Sequence, residues 1–187
     1  MALVIRQSRI HADGVYTTSP IKKGAIVVEY TGPRLTNSQA DDIYENSPRT
    51  YLFGLVDGEH VIDGDGIAAF INHCCDPNCE ADEVKGRVII RAIRNIETGE
   101  ELAYDYNLYD GDPEDSAPCW CGAKKCRGSM YSRKELAKRK KNRAALDGQP
   151  RAAVPIRSNF TGSKSSRSKS GTINLGDALV GEGGRSA

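Results

Sequence analysis

The chain has no cysteine before position 74, one tryptophan, three phenylalanines and no long apolar run. A membrane helix needs roughly 18–20 consecutive apolar residues, so a spanning segment is excluded. Met1–Gly14 lacks an apolar core and is not expected to act as a secretory signal. The six cysteines are therefore expected in a reducing, intracellular compartment, where metal binding or packing is favoured over disulfides. No tandem repeat is present. At 187 residues and 39% hydrophobic, the chain suffices for one domain with appendages.

The net charge of +1 conceals an asymmetry. Residues 1–132 carry 13 Lys+Arg against 21 Asp+Glu, whereas residues 133–169 carry 12 basic and 2 acidic residues. An acidic body attracts cationic substrates and a basic arm attracts polyanions, both screened by salt. The ordinary reading of the arm is a solvated, solubilising surface.

The first hundred residues read as short strands broken by turns. Ala25–Tyr30 and Arg87–Ala92 are strand candidates, and Asp57-Gly58 reads as the turn of a hairpin between Tyr51–Val56 and His60–Ile62. One helix is expected near Asn37–Glu45, capped by Thr36 or Asn37. Ile96–Gly99 turns the chain into a strand over Glu101–Tyr106. The pattern predicts a mainly β fold. Asp110–Pro118 reads as a linker. Ser132-Arg133-Lys134-Glu135 fits a capping box that opens a basic helix over 132–148, stopped by Asp147-Gly148. Residues 149–187, rich in Ser, Gly and Lys/Arg, are expected to be disordered.

Three segments carry chemistry. Asn72-His73-Cys74-Cys75-Asp76-Pro77-Asn78-Cys79 packs polar and ligating side chains into a turn. Cys119, Cys121 and Cys126 form C-x-C-x₄-C, three thiolates suited to one zinc ion. Structural zinc is four-coordinate, so the fourth ligand comes from elsewhere, with Cys74, Cys75 and Cys79 as the remaining cysteines. Tyr104 and Tyr106 share one strand face, and such a pair can line an aromatic channel ending in two hydroxyls.

Together these segments resemble the SET-domain protein-lysine methyltransferases over roughly Ile5 to Met130. Asn72, His73, Cys75, Pro77 and Asn78 match the family's N-H-x-C-x-P-N. Glu101, Leu102, Tyr104, Asp105 and Tyr106 match E-L-x-[FY]-D-Y, and the later cysteines match the post-SET C-x-C-x₄-C. Gly14-Val15, Glu29-Tyr30 with Gly32, and Tyr51-Leu52-Phe53 resemble further family segments.

The resemblance implies a β-clip-like fold of short curved sheets with knot-like C-terminal threading, divided into a SET domain over 1–108 and a linker with zinc segment over 109–131. It implies S-adenosylmethionine held by Asp13, Gly14, Val15, Asn72, His73, Tyr51 and Trp120. It implies zinc on Cys75, Cys119, Cys121 and Cys126. Tyr106 takes the place of the catalytic tyrosine, Tyr51 of a tyrosine contacting donor and substrate, and Tyr104 of the residue limiting methylation, here to mono- or dimethylation. The implied substrate is an exposed lysine of a histone or other basic protein, and the expected state is a monomer. The alternative is a degenerate SET fold that binds nucleic acid through its basic arm. Three departures stand out: Ala12 replaces the first glycine of the family's G-x-G, Ala69 a common arginine, and Cys74 the usual serine. With no cysteine-rich segment ahead of the domain, the pattern leans toward a short, bacterial protein, hence cytoplasmic; a eukaryotic source would place it in the nucleus.

Overall fold

The computed structural model describes residues 2–45, 47, 51–109 and 115–147. The expected disordered tail, 149–187, lies outside them, as does residues 110–114 of the expected linker. Residues 1–149 form one compact unit.

The elements in chain order are β1 (Leu3–Gln7), β2 (Asp13–Thr17), β3 (Ile26–Tyr30), β4 (Arg34–Thr36), α1 (Asn37–Tyr44), β5 (Leu52–Gly54) and β6 (His60–Asp63). A 3₁₀ turn over Ile67–Phe70 follows, then β7 (Asn72–His73), β8 (Cys79–Val84), β9 (Arg87–Ala92), β10 (Ala103–Tyr104) and α2 (Arg133–Asp147). The mainly β expectation holds. Thr36 caps α1 with the full reciprocal box, its hydroxyl accepting from Gln39 N–H while the Gln39 side chain accepts from Thr36 N–H. The hairpin at Asp57-Gly58 forms as β5 and β6, with Gly54 opposite Val61.

Three sheets result: β1-β2, β4-β6-β5 and the five-stranded β3-β9-β8-β10-β7. The β8–β9 hairpin closes on Lys85 and Gly86, both at positive φ (52° and 74°), the geometry of a type I′ turn. Val88 and Ile90 of β9 are fully buried, and with Val15, Ile71, Ile96 and Leu102 they form the centre of the core.

β7 and β8 are consecutive in the chain, yet β10 lies between them, parallel to both. The connection 74–78 must therefore arch over the incoming C-terminal strand, which is the expected knot-like threading. Asn78 locks it in place: its side-chain amide donates to Glu101 O at 2.8 Å and accepts from Ala103 N–H at 2.9 Å. The buried amide thus satisfies two backbone groups that the short strand leaves unpaired.

Two expectations need correction. The strand expected over Glu101–Tyr106 narrows to Ala103–Tyr104, because the Tyr106 N–H donates to the His73 ring instead of a neighbouring strand, while the Asp105 carboxylate accepts from Asn107 N–H and Arg127. The capping box at Ser132 is half formed. Ser132 Oγ accepts from Glu135 N–H, but Ser132 N–H donates to Leu108 O, and the Glu135 carboxylate is drawn to Lys138 and Arg139.

Candidate functional site

Tyr104 on the threaded strand and Tyr106 just past it line two cavities. One, of about 390 Å³, is walled by Ile10–Asp13, Phe70, Asn72, His73, Pro118, Cys119, Trp120 and Met130. The other, of about 480 Å³, is walled mainly by Tyr30, Asn37, Asp41, Phe53, Tyr104 and Tyr109. Tyr51, Ala69 and Tyr106 belong to both walls. These three residues mark the junction between the cavities.

The junction is aromatic. Tyr104 and Tyr106 ring centres lie 4.9 Å apart, Tyr106 and His73 lie 5.3 Å apart edge-on, and Tyr51 packs on Phe70 at 5.3 Å. The Tyr106 hydroxyl donates to Ile71 O at 2.9 Å. Its ring faces both cavities, while the surrounding protein raises its pKa to about 12 by excluding water from the phenolate. The hydroxyl therefore stays protonated at working pH. Burial likewise raises the pKa of Tyr104, and its hydroxyl makes no hydrogen bond among the described residues.

His73 is a neutral linker. Its Nδ1 accepts from Tyr106 N–H at 3.1 Å, which leaves Nε2 as the protonated nitrogen, 3.3 Å from Cys75 Sγ. Desolvation lowers its pKa to about 4 and outweighs the opposing attraction of Asp105.

Asn72 fastens the first cavity's opposite wall. Its side-chain amide donates to His11 O (3.1 Å), Asp13 O (2.9 Å) and Glu101 Oε1 (3.1 Å). The Glu101 carboxylate also accepts from Ser8 Oγ at 2.6 Å and Tyr16 hydroxyl at 2.9 Å. Glu101 thus gathers β1, β2 and β7 behind the cavity. Gly14 leaves room for this carboxylate, since a Cβ there would sit 2.3 Å from Glu101 Oε1 and displace it from its hydrogen bonds. Of the residues the resemblance assigned to the donor, Asp13, Tyr51, Asn72, His73 and Trp120 wall this cavity. Gly14 stands behind the wall against Glu101, and Val15 is fully buried in the core. Trp120 lies at the rim, 78% exposed.

Ala12 adopts φ 42°, the left-handed conformation that its family counterpart, glycine, accepts freely. That conformation costs an alanine roughly 1–2 kcal/mol. Glycine's greater unfolded-state freedom offsets about 0.4–1 kcal/mol of the relief. Ala12→Gly is therefore expected to stabilise the chain by up to about 1.5 kcal/mol, a rise of at most roughly 3–6 °C in a thermal melt. A fall in the melting temperature would show that the turn draws support from the Ala12 methyl group.

Cys75, Cys119, Cys121 and Cys126 place their sulfur atoms within 4.8 Å of one another. The Sγ···Sγ distances are 3.8 Å (75–119), 4.0 Å (75–126) and 3.7 Å (119–126). A tetrahedron with Zn–S bonds of about 2.3 Å has S···S edges of about 3.8 Å. The donor set and its size fit zinc. Cys79 faces the core, fully buried, and its thiol is raised to about 12 by desolvation. Beside the cluster, Arg127 makes a two-pronged ion pair with Asp105, at 2.5 and 2.8 Å, fixing the cysteine-rich segment to the threaded strand.

Reading the sequence did not single out Ile10, His11, Phe70, Pro118 or Met130 as cavity wall, nor Arg127 as a clamp. None carries a local signal; they meet only through the threading. Ala69, noted as a departure, proves to line both cavities, where a longer side chain would narrow the junction.

The SET domain family matches residues 13–107. The chain is 40% identical over 137 residues to a histone-lysine N-methyltransferase, H3 lysine-4 specific, of Eremothecium gossypii, covering 66% of this chain and 14% of that protein. It is 39% identical over 141 residues to the protein of the same description from Saccharomyces cerevisiae, covering 68% and 13%. It is 38% identical over 136 residues to histone-lysine N-methyltransferase 2D of Homo sapiens, covering 67% and 2%. The fold, the threaded strand and these matches agree: this chain belongs to the SET-domain family. It spans a seventh or less of the length of these relatives.

Proposed function

We propose that the chain transfers a methyl group from S-adenosylmethionine to the ε-amine of a lysine in a histone or other basic protein. The observation that carries this reading is the aromatic junction at Tyr51, Ala69 and Tyr106, where two separate cavities share a wall. One cavity takes the donor and the other the lysine, so that the two reactants meet only there.

The donor cavity suits its ligand: Asn72 and His73 supply polar atoms, Phe70, Pro118 and Met130 apolar surface, and Trp120 an indole for the adenine. The cofactor contributes an electrophilic methyl group. The chain's residues do the rest. A lysine reacts only as the neutral amine, and its unperturbed pKa is about 10.4. A channel walled by the Tyr51, Phe53, Tyr104 and Tyr106 rings disfavours the ammonium by keeping water from it. Tyr106, its proton committed to Ile71 O, offers its oxygen lone pairs to the amine N–H groups and leaves the nitrogen lone pair free to attack. Holding the nitrogen in line with the methyl group is itself worth several kcal/mol.

Zinc on the four cysteines would hold Cys119 and Trp120 in the donor wall and orient His73 through Cys75. The functional division follows: residues 1–108 as catalytic domain, 109–131 as zinc-bound closure, 132–148 as basic helix and 149–187 as tail. The protein acts as a monomer, in the nucleus of a eukaryote or the cytoplasm of a bacterium. A degenerate binding module is the weaker reading, since it gives no reason for Tyr106, Asn72 and His73 to converge on one cavity.

Trp120 is the single tryptophan and gives a direct assay of the donor site. Titration with S-adenosylmethionine is expected to change its emission saturably, and an Asn72→Ala variant to weaken that response. Absence of any response in zinc-loaded protein would remove the donor site.

Tyr104 limits the product to mono- or dimethyllysine, because its hydroxyl occupies space a dimethylamine needs. Tyr104→Phe is expected to yield trimethyllysine by mass spectrometry. Since that hydroxyl has no hydrogen-bond partner among the described residues, stability should change by less than about 1 kcal/mol. An unchanged product distribution would assign the limit to another residue.

A further inference from the structure

The methyl-transfer reading leaves α2 unexplained. From Arg133 to Ala144 it carries seven Lys and Arg against a single acid, Glu135. No apolar stripe runs along it; Leu136 and three alanines are its only apolar residues before Leu146. A helix this polar is marginal in isolation, and like charges three and four residues apart weaken it further.

What holds it is one anchored face. Glu135 is 7% exposed, and its carboxylate accepts from Arg139 Nε at 3.0 Å and Lys138 Nζ at 3.3 Å. The Arg139 guanidinium lies 3.8 Å over the Tyr131 ring and donates to Asp115 O at 3.0 Å. Glu135 and Arg139 therefore face the segment that carries Asp115 and Tyr131.

Helical periodicity sets Lys134, Lys138 and Lys141, at i, i+4 and i+7, in one stripe along one flank of the anchored face, and Arg133 and Lys140 along the other flank. All three are exposed. Lys138 stays 65% exposed despite its contact with Glu135, and Lys134 and Lys141 have no ion pair among the described residues. The stripe rises about 10 Å along the helix axis.

We infer that this outer stripe of α2, Lys134, Lys138 and Lys141, docks on the phosphate backbone of duplex nucleic acid, alongside catalysis and not in place of it. The inference rests on the anchored helix and stands whether or not methyl transfer does. A regular polyanion relieves the lysines' mutual repulsion and releases its own condensed counterions. A membrane surface fits less well, because an interfacial helix needs an apolar face to insert and α2 has none. Lysines without base-reading partners contact phosphates, which positions a protein on a duplex without reading sequence.

The test uses the full zinc-loaded chain and a fluorescently labelled DNA duplex of arbitrary sequence, read by anisotropy over a salt series. Three phosphate contacts predict a slope of log affinity against log salt of about −2.7 or steeper. Two double variants of equal charge change separate the stripe from net charge: Lys134→Gln with Lys141→Gln, and Arg133→Gln with Lys140→Gln. The first is expected to reduce the slope by about two and weaken low-salt binding at least tenfold. The second is expected to change both less, and methyl transfer to a short free peptide should be unaltered in both. Equal losses from the two pairs, wild-type affinity in the first, or binding only to anionic vesicles would overturn the inference.

Discussion

Tyr106→Phe is expected to lower kcat roughly 10²–10³-fold while leaving the fold in place. The substitution removes one oxygen from the junction of the two cavities. That oxygen's proton is held by Ile71 O at 2.9 Å, and its pKa of about 12 keeps it from ionising. In the proposed reaction it would therefore serve as a fixed acceptor for the amine, not as a base that titrates. Without it, the amine loses its orienting partner. The ring contacts to Tyr104 and His73, and the Tyr106 N–H bond to His73 Nδ1, do not involve the hydroxyl. The stability cost is one hydrogen bond and an unpaired Ile71 carbonyl, about 1–3 kcal/mol. Donor binding, read by Trp120 emission, should persist. A variant with wild-type turnover would remove Tyr106 from the mechanism; one that loses turnover and donor binding together would make it a structural residue.

The second large effect is on the metal. Cys126→Ser, or chelation of the wild-type chain, is expected to release about one zinc per chain and to weaken donor binding by two orders of magnitude or more. The four sulfur atoms sit at the spacing of a zinc tetrahedron, and three of them lie within an eight-residue loop. A loop so short and polar has little buried apolar surface of its own to order it, so metal binding and local folding are one process. Cys119 and Trp120 belong to that loop and wall the donor cavity. The core around Val88, Ile90 and Leu102 lies elsewhere and should keep its far-UV dichroism and most of its thermal stability. Elemental analysis and Trp120 anisotropy check the two halves of this statement. Full donor affinity in a zinc-free chain would contradict it.

These results show which parts of the molecule the chain announces locally. α1 was legible because Thr36 and Asn37 are N-cap residue types; the structure selects Thr36 and adds the reciprocal bond from Gln39. The β5–β6 hairpin was legible because Asp57-Gly58 is turn chemistry between two apolar segments. The cysteine cluster was legible from spacing, with Cys75 selected among three candidates by family likeness; the sulfur distances select the same one. β8 was missed because its sequence, CEADEV, is acidic, although its place inside the sheet is set by pairing with β9 and β10. Its alternation of buried and exposed positions is visible only once one face is known to be covered. β1 and β2 were missed because their register is held at one end by Glu101, some ninety residues away from Ser8. The consequence of Ala12 was invisible for a different reason: a left-handed φ is a property of the backbone, which an alanine does not signal.

The central claim is that two cavities exchange a methyl group through one aromatic junction. Incubation of the zinc-loaded chain with methyl-labelled S-adenosylmethionine and a histone mixture, followed by mass spectrometry of the modified residues, tests it most directly. The expected result is label on lysine ε-amines as mono- and dimethyllysine, lost in Tyr106→Phe. Label on no lysine under saturating donor, with Trp120 reporting that the donor is bound, would contradict it.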